Sequence, residues 1–177
     1  MRGFLDATYR LAGIAAAASL FIIFTLVLVQ VGARLLDSLM RLVGLTPFGF
    51  IVPSIAEICG FLLAAASFLA LAYTLTVGGH IRVGLLVERL PARLRRFTET
   101  LVGSVAAMLA VYFGYAVAEL AMKSWRFNDV SFGFVAVPLW IPQAVMAIGL
   151  FLLALALADI TWRAWRDSKF VDAPGEA

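Results

Sequence analysis

The chain has 177 residues, of which 63% are hydrophobic and 14% are charged, and its formal net charge is +3. Such a composition leaves too little polar side chain to cover a soluble surface, so it indicates an integral membrane protein. The basic residues lie in short segments between apolar runs, which argues against nucleic acid as a partner. One cysteine and one histidine exclude an internal disulfide, a cysteine-rich metal cage and bis-histidine haem ligation by this chain.

The first apolar run extends from Leu11 to Val31 and is long enough to cross a hydrocarbon core of about 30 Å. We therefore predict a first transmembrane helix at about residues 11–33. A signal peptide is the alternative, because two arginines precede the run and residues 31–33 resemble a cleavage site. The run is longer than a typical signal core, which favours a membrane span.

Residues 34–52 form the first connection, in which a short interfacial helix is expected, and a second transmembrane helix is predicted at about residues 54–77. Ser54 and Glu57 fit a capping box. In that motif the Ser54 hydroxyl accepts a hydrogen bond from the backbone N–H of Glu57, and the Glu57 carboxylate accepts one from the backbone N–H of Ser54. Gly78 and Gly79 can then supply the left-handed turn that ends the helix.

The segment after these glycines is predicted to be a basic amphipathic helix at about residues 81–97. Its apolar residues recur at helical spacing, and most of its arginines fall on the opposite face. Such a helix should lie along the cytoplasmic headgroup layer and contact anionic phospholipids. The predicted membrane-anchoring residues are Arg82, Arg89, Arg93, Arg95 and Arg96.

A third span is predicted at about residues 98–122 and a fourth at about 137–160, followed by a short polar tail at 171–177. With four spans, ten of the basic residues fall on the side of the termini and four on the other. Short basic loops stay in the cytoplasm, so both termini should be cytoplasmic. Spacing of i,i+4 predicts two ion pairs, Glu119–Lys123 and Asp159–Arg163. Four tryptophans fit two interfacial belts, one with Trp125 and Trp140 and the other with Trp162 and Trp165.

Small residues recur every four positions in the second and third spans, which would let helix backbones approach closely. We predict that these two faces meet helices, either each other or those of a partner chain. The candidate helix-packing residues are Ala66 and Ala70 in the second span and Ala106, Ala110, Gly114 and Ala118 in the third.

No group of residues in the sequence has the pattern of a catalytic site. There is no Ser/His/Asp set, no pair of carboxylates in a cleft and no metal-spaced His/Glu cluster, so neither an enzyme nor a cofactor is predicted. His80, at the end of the second span, is interpreted as a helix-ending residue rather than a ligand. A quinone-binding anchor of a respiratory enzyme is the alternative function, and an autonomous membrane enzyme is the least favoured.

Two runs in the middle of the chain resemble a known family. Val77-Gly78-Gly79-His80-Ile81-Arg82-Val83, followed by Leu90-Pro91-Ala92-Arg93-Leu94-Arg95-Arg96, is similar to the segment between helices two and three in small membrane subunits of tripartite ATP-independent periplasmic (TRAP) transporters. Arg34 after the first span and Glu57 at the start of the second extend this resemblance. By this resemblance the candidate partner-interface residues are Arg34, Glu57, Gly78, Gly79 and His80.

The resemblance implies a four-helix subunit in the bacterial inner membrane that performs no chemistry itself. Its expected partners are a large membrane subunit, which carries the substrate and sodium sites, and a periplasmic solute-binding protein. The expected substrate class is an organic acid or similar solute. The small subunit would act as a scaffold beside the static part of the large one.

Overall fold

The computed structural model of the chain describes residues 2–78 and 91–167. Its four long helices are α1 (Arg2–Leu42), α2 (Ile55–Thr76), α3 (Ala92–Phe127) and α4 (Trp140–Asp167). Each is long and apolar enough to cross a membrane, which confirms the predicted all-helical class with four spans. The predicted amphipathic helix lies mainly on residues 79–90, outside the described residues, and residues 92–97 form the first turns of α3.

Helix α1 is longer than the sequence predicts. Its 41 residues extend about 60 Å at 1.5 Å per residue, twice the thickness of a hydrocarbon core. It ends at Gly44, which adopts a left-handed φ of 76°. The Leu45 N–H donates a hydrogen bond to the Met40 carbonyl and the Gly44 N–H donates one to the Arg41 carbonyl, which is a Schellman motif. The expected short interfacial helix in residues 34–52 is therefore wrong: its first part continues α1, and residues 45–52 are not helical.

The helices pack in the order α1, α2, α4, α3, so that α1 and α3 form the two edges of the bundle. At one end lie the connections 43–54 and 128–139, and we call this the loop end. The opposite end carries the start of α1, the end of α2, the start of α3 and the end of α4, and we call it the terminal end. Helices α2 and α4 run parallel to each other, whereas α1 and α3 run in the opposite direction.

Small side chains bring three of the helices together near the terminal end. Tyr9 of α1 is buried against Ala72 of α2 and Ala156 of α4, and both alanines are fully inaccessible. Leucines from the same three helices, Leu5, Leu75 and Leu152, pack around this cluster. Because lipid tails are as apolar as leucine, such close packing rather than water exclusion holds membrane helices together.

Glycines set the distances between the helix axes around α4. A Cβ added at Gly149 would lie 2.6 Å from the carbonyl carbon and oxygen of Phe68, so the backbones of α2 and α4 touch at that level. In α3, Gly114 lies against the ring of Phe151, and Gly103 leaves room for the Thr161 side chain. The four helices are therefore held in register by contacts that a methyl group would disturb.

Tryptophan pairs mark the two ends of the membrane-spanning region. Trp125 and Trp140 stack at the loop end with ring centroids 5.6 Å apart, and Trp162 and Trp165 pair at the terminal end at 5.7 Å. Trp140 and Trp162 are 22 residues apart on α4, which is about 33 Å of helix and matches a hydrocarbon core of about 30 Å. Indole rings prefer the headgroup level, so these pairs frame the bilayer.

Candidate partner-binding surfaces

The part of α1 beyond the predicted span, residues 34–42, is called the α1 extension. Two polar side chains of α1 hold the chain that follows this extension. The Asp37 carboxylate accepts from the backbone N–H groups of Phe48 and Gly49, at 2.8 and 3.1 Å. Two helical turns closer to the bundle, Gln30 Oε1 accepts a hydrogen bond from the Val52 N–H at 2.8 Å. These bonds fasten the returning chain along α1. The sequence analysis assigned no role to either residue; the signal was a polar group inside an apolar helical run.

The start of α2 differs from the predicted capping box. Ser54 has a left-handed backbone (φ 54°) and makes no side-chain cap, so its hydroxyl is not directed at the Glu57 amide. That amide instead donates to the Ser54 backbone carbonyl at 3.0 Å. The Ser54 hydroxyl accepts from the Val135 N–H at 3.0 Å. The serine therefore joins α2 to the connection between α3 and α4.

The connection 128–139 folds over the first turn of α2. It is braced internally, because Ser131 donates its N–H to the Val137 carbonyl at 2.9 Å and its hydroxyl accepts from the Val137 N–H at 3.1 Å. Gly133 lies so close to the Glu57 carboxylate and the Ser54 hydroxyl that a Cβ there would overlap both. A larger residue at this position would force the Glu57 and Ser54 side chains to move, and the composition of the connection gave no sign of this contact.

Glu57 lies under this connection with one oxygen unpaired. Its Oε2 atom is buried and has no hydrogen-bond partner among the described residues. A buried carboxylate oxygen without a donor is costly, so its occurrence in a folded protein requires an explanation. A hydrogen-bond donor or a cation supplied from outside the described chain would satisfy it.

The other predicted interface residues are not gathered around Glu57. Arg34 is exposed on the α1 extension, and Gly78 lies at the terminal end with a left-handed φ of 76°, as predicted for a helix-ending glycine. Gly79 and His80 lie outside the described residues, as do Arg82 and Arg89. Arg93, Arg95 and Arg96 lie in the first turns of α3. The structure therefore divides the predicted interface between the two ends of the bundle.

The small residues of α2 and α3 that were predicted to pack against helices are buried or half-buried. On α2, Ala66 is 4% exposed and Ala70 is half-buried; on α3, Ala110 is 5% exposed and Gly114 packs on α4. Ala106 and Ala118 are half-buried. Helix α3 packs chiefly on α4, and α2 packs on both α1 and α4. The contact between the α2 and α4 backbones at Gly149 lies outside the small-residue pattern of the second and third spans.

Both predicted ion pairs are present. Lys123 Nζ lies 2.8 Å from Glu119 Oε1 on α3, where both side chains are more than half exposed. On α4, Arg163 pairs with Asp159 near the terminal end. Exposed pairs of this kind stabilise a helix only weakly. They neutralise charge at the two membrane boundaries rather than forming a reaction centre.

Large apolar side chains are exposed at the loop end. Phe48 of the first connection is 87% exposed, and Phe132 and Phe134 of the second are 104% and 98% exposed. Aromatic side chains at such positions suit either the headgroup region or a protein partner. Among the described residues there is no group of three or more His, Cys, Asp or Glu side chains placed to hold a metal ion.

Comparison with known families gives one match. The model of the family described as "Tripartite ATP-independent periplasmic transporters, DctQ component" matches residues 31–167, which is more than three quarters of the 177 residues. Searches of curated proteins and of solved structures give no significant match. The match begins at the end of the first membrane-crossing segment and includes the α1 extension, both connections and helices α2, α3 and α4. The chain therefore belongs to the DctQ family, the small membrane component of TRAP transporters, and is a multi-pass inner-membrane protein.

Proposed function

We propose that this chain is a non-catalytic scaffold for the large membrane subunit of a TRAP-type importer. The importer would use a sodium gradient to take up an organic acid or similar solute that a periplasmic binding protein delivers. Family membership is the observation that carries this proposal. It favours a transporter subunit over the quinone-binding anchor, for which no feature of the described residues offers support.

The arrangement of the helices suits a scaffold. Each edge helix packs chiefly on one neighbour, so α1 and α3 both offer long apolar faces to a further membrane protein. The backbone contact at Gly149 and the contact between Gly114 and the Phe151 ring make the bundle stiff rather than hinged. A stiff part is what a stationary subunit needs when its partner moves.

The distribution of basic residues supports a cytoplasmic terminal end, with both termini inside the cell. The loop end would then face the periplasm, where the aromatic connections and the unpaired Glu57 oxygen are within reach of the large subunit or the binding protein. We propose that Glu57 accepts a charged donor from the large subunit.

Changing Glu57 to glutamine is expected to weaken the complex with the large subunit. The substitution keeps the side-chain shape but removes the charge, and a hydrogen bond to a charged group is worth about 1.5–3 kcal/mol. Co-expression with the large membrane subunit of a TRAP transporter from the same organism, followed by affinity purification in mild detergent, measures the effect. We expect a stable complex for the native chain and a yield at least tenfold lower for Glu57→Gln.

Glu119→Gln is the matched control, because Glu119 is exposed and already paired with Lys123. It should leave the yield of the complex unchanged. If the native chain purifies alone, the scaffold proposal fails. If Glu57→Gln and Glu119→Gln behave alike while the native complex forms, the role of Glu57 fails and the scaffold remains.

The predicted basic helix is proposed to anchor the scaffold to the inner leaflet. Replacing Arg89, Arg93 and Arg96 with glutamine should remove roughly 1 kcal/mol of attraction to anionic lipid per arginine. Thermal unfolding in nanodiscs of anionic and of zwitterionic lipid provides the measurement. The native chain should be more stable in the anionic lipid, and the triple variant should lose that difference. An equal lipid dependence in both proteins would rule out the anchor.

A further inference from the structure

A continuous groove runs between α3 and α4 in the half of the bundle nearest the terminal end. It consists of two depressions of about 480 and 510 Å³ that share Ala107 and Ala158 as lining residues. These volumes are in the range of sites for small ligands.

The groove changes in character along its length. The part nearer the middle of the membrane is lined by Met108, Val111, Phe151 and Leu155, all apolar. The part nearer the terminal end is lined by the hydroxyls of Thr100, Ser104 and Thr161 and by two indole rings, Trp162 and Trp165. An apolar half and a polar, indole-bearing half match the acyl chain and the glycerol–headgroup region of a phospholipid.

The length of the groove matches one leaflet. From Thr100 to Val111 along α3 the rise is about 16 Å, and one leaflet contributes about half of a 30 Å hydrocarbon core. The polar part lies at the level of the Trp162–Trp165 pair, whose ring centroids are 5.7 Å apart. The apolar part ends near the middle of the bilayer, where an acyl chain ends.

One polar atom in the groove lacks a partner. Thr100 Oγ1 is buried and makes no hydrogen bond within the part of the chain that the structure describes. By contrast, the Thr98 hydroxyl on the same helix donates to the Leu94 carbonyl in the preceding turn at 2.9 Å. Thr100 lines the groove, and rotation of its side chain would turn this unpaired hydroxyl toward a phosphate or glycerol oxygen.

The sequence of α3 adds positive charge in the same register. Arg96 and Arg93 precede Thr100 by four and seven residues, the spacings that return to one helix face. Beyond the polar part of the groove, the first turns of α3 therefore have a basic sequence toward the headgroup level. This register favours an anionic headgroup over a zwitterionic one.

We propose that the groove between α3 and α4 is a binding site for one anionic phospholipid of the inner leaflet. One acyl chain occupies the part lined by Met108, Val111 and Phe151, and the phosphate lies near Thr100 and Ser104. The bound lipid fills the space between the two helices and joins the edge helix α3 to the bilayer. The leaflet assignment rests on the proposed orientation, but the site does not require the large subunit.

Native mass spectrometry of the purified full-length chain tests the site. The chain is delipidated and then titrated with phosphatidylglycerol or with phosphatidylcholine of the same acyl length. We expect one phosphatidylglycerol to bind at least tenfold more tightly than phosphatidylcholine. Ala158→Phe, which fills the groove from an exposed position on α4, should lower the affinity for phosphatidylglycerol at least tenfold.

Ala116→Phe is the control, since Ala116 is also an exposed alanine and does not line the groove; it should bind lipid like the native chain. Thr100→Val keeps the shape and should lower the affinity for both lipids without unfolding the protein. Equal binding by the native chain, Ala158→Phe and Ala116→Phe would overturn the proposal. So would an Ala158→Phe chain that keeps its lipid and instead loses the large subunit, because the groove would then be a protein interface.

Discussion

Replacing Gly149 with alanine is expected to destabilise the bundle by about 1–3 kcal/mol, the usual cost of an added methyl group in a packed interior. The new Cβ would lie 2.6 Å from the backbone carbon and oxygen of Phe68 and 2.9 Å from its Cβ. Backbone atoms of a neighbouring helix cannot rotate away, so α2 and α4 must separate. Thermal unfolding of the purified chain in detergent measures the loss as a lower midpoint temperature.

Gly60→Ala is the matched control for this substitution. Gly60 lies in α2, and nothing is within 4 Å of a Cβ placed there. Alanine is the better helix former by about 1 kcal/mol, so Gly60→Ala should leave the midpoint unchanged or raise it. Equal midpoints for the Gly149 and Gly60 variants would mean that α2 and α4 are not in backbone contact.

Replacing Gly133 with valine is expected to lift the connection 128–139 away from α2. A Cβ at this position overlaps the Glu57 carboxylate and lies 2.6 Å from the Ser54 hydroxyl, so the hydrogen bond from the Val135 N–H to Ser54 should break. Losing that bond and its packing should lower the free energy of opening the connection by about 1.4 kcal/mol, which makes opening roughly tenfold more frequent. Hydrogen exchange of the amides in residues 128–139 reports the change.

Ala136→Val provides the comparison, because Ala136 is an exposed residue of the same connection. Its amide exchange should match that of the native chain. Slow, native exchange in Gly133→Val would show that the connection does not depend on its contact with Glu57. If the contact is real, Gly133→Val should also impair assembly with the large subunit, since it disturbs the surroundings of Glu57.

The number of spans and the pairing of charges could be predicted from the sequence because they depend on local pattern. Hydrophobic length identifies a membrane-crossing helix whatever surrounds it. The spacing between Glu119 and Lys123 brings their side chains together on any helix. Gly78 could likewise be predicted to end α2, since glycine adopts the left-handed backbone at little cost.

The length of α1 could not be predicted in the same way. Arg34, Asp37 and Arg41 look like the charges of a loop, but they lie on a helix that continues past the membrane boundary. The Asp37 carboxylate accepts hydrogen bonds from the backbone N–H groups of Phe48 and Gly49. That role depends on a contact 11–12 residues away along the chain, which periodicity does not reveal.

The choice of helix partners also depends on tertiary structure. Small residues occur on several faces of these helices, so the pattern of Ala106, Ala110 and Gly114 predicts that a helix packs there but not which one. The structure gives α4 as that neighbour, with Phe151 against Gly114. Ser54 shows the same limit, because its hydroxyl bonds to a residue 81 positions away and not to the first turn of its own helix.

Uptake into proteoliposomes tests the central claim most directly. The vesicles carry the large subunit with this chain, the large subunit alone, or this chain alone, each with the binding protein, a sodium gradient and radiolabelled solute. The scaffold account predicts uptake only when both membrane subunits are present. Full uptake by the large subunit alone, or any solute transport by this chain alone, would contradict it.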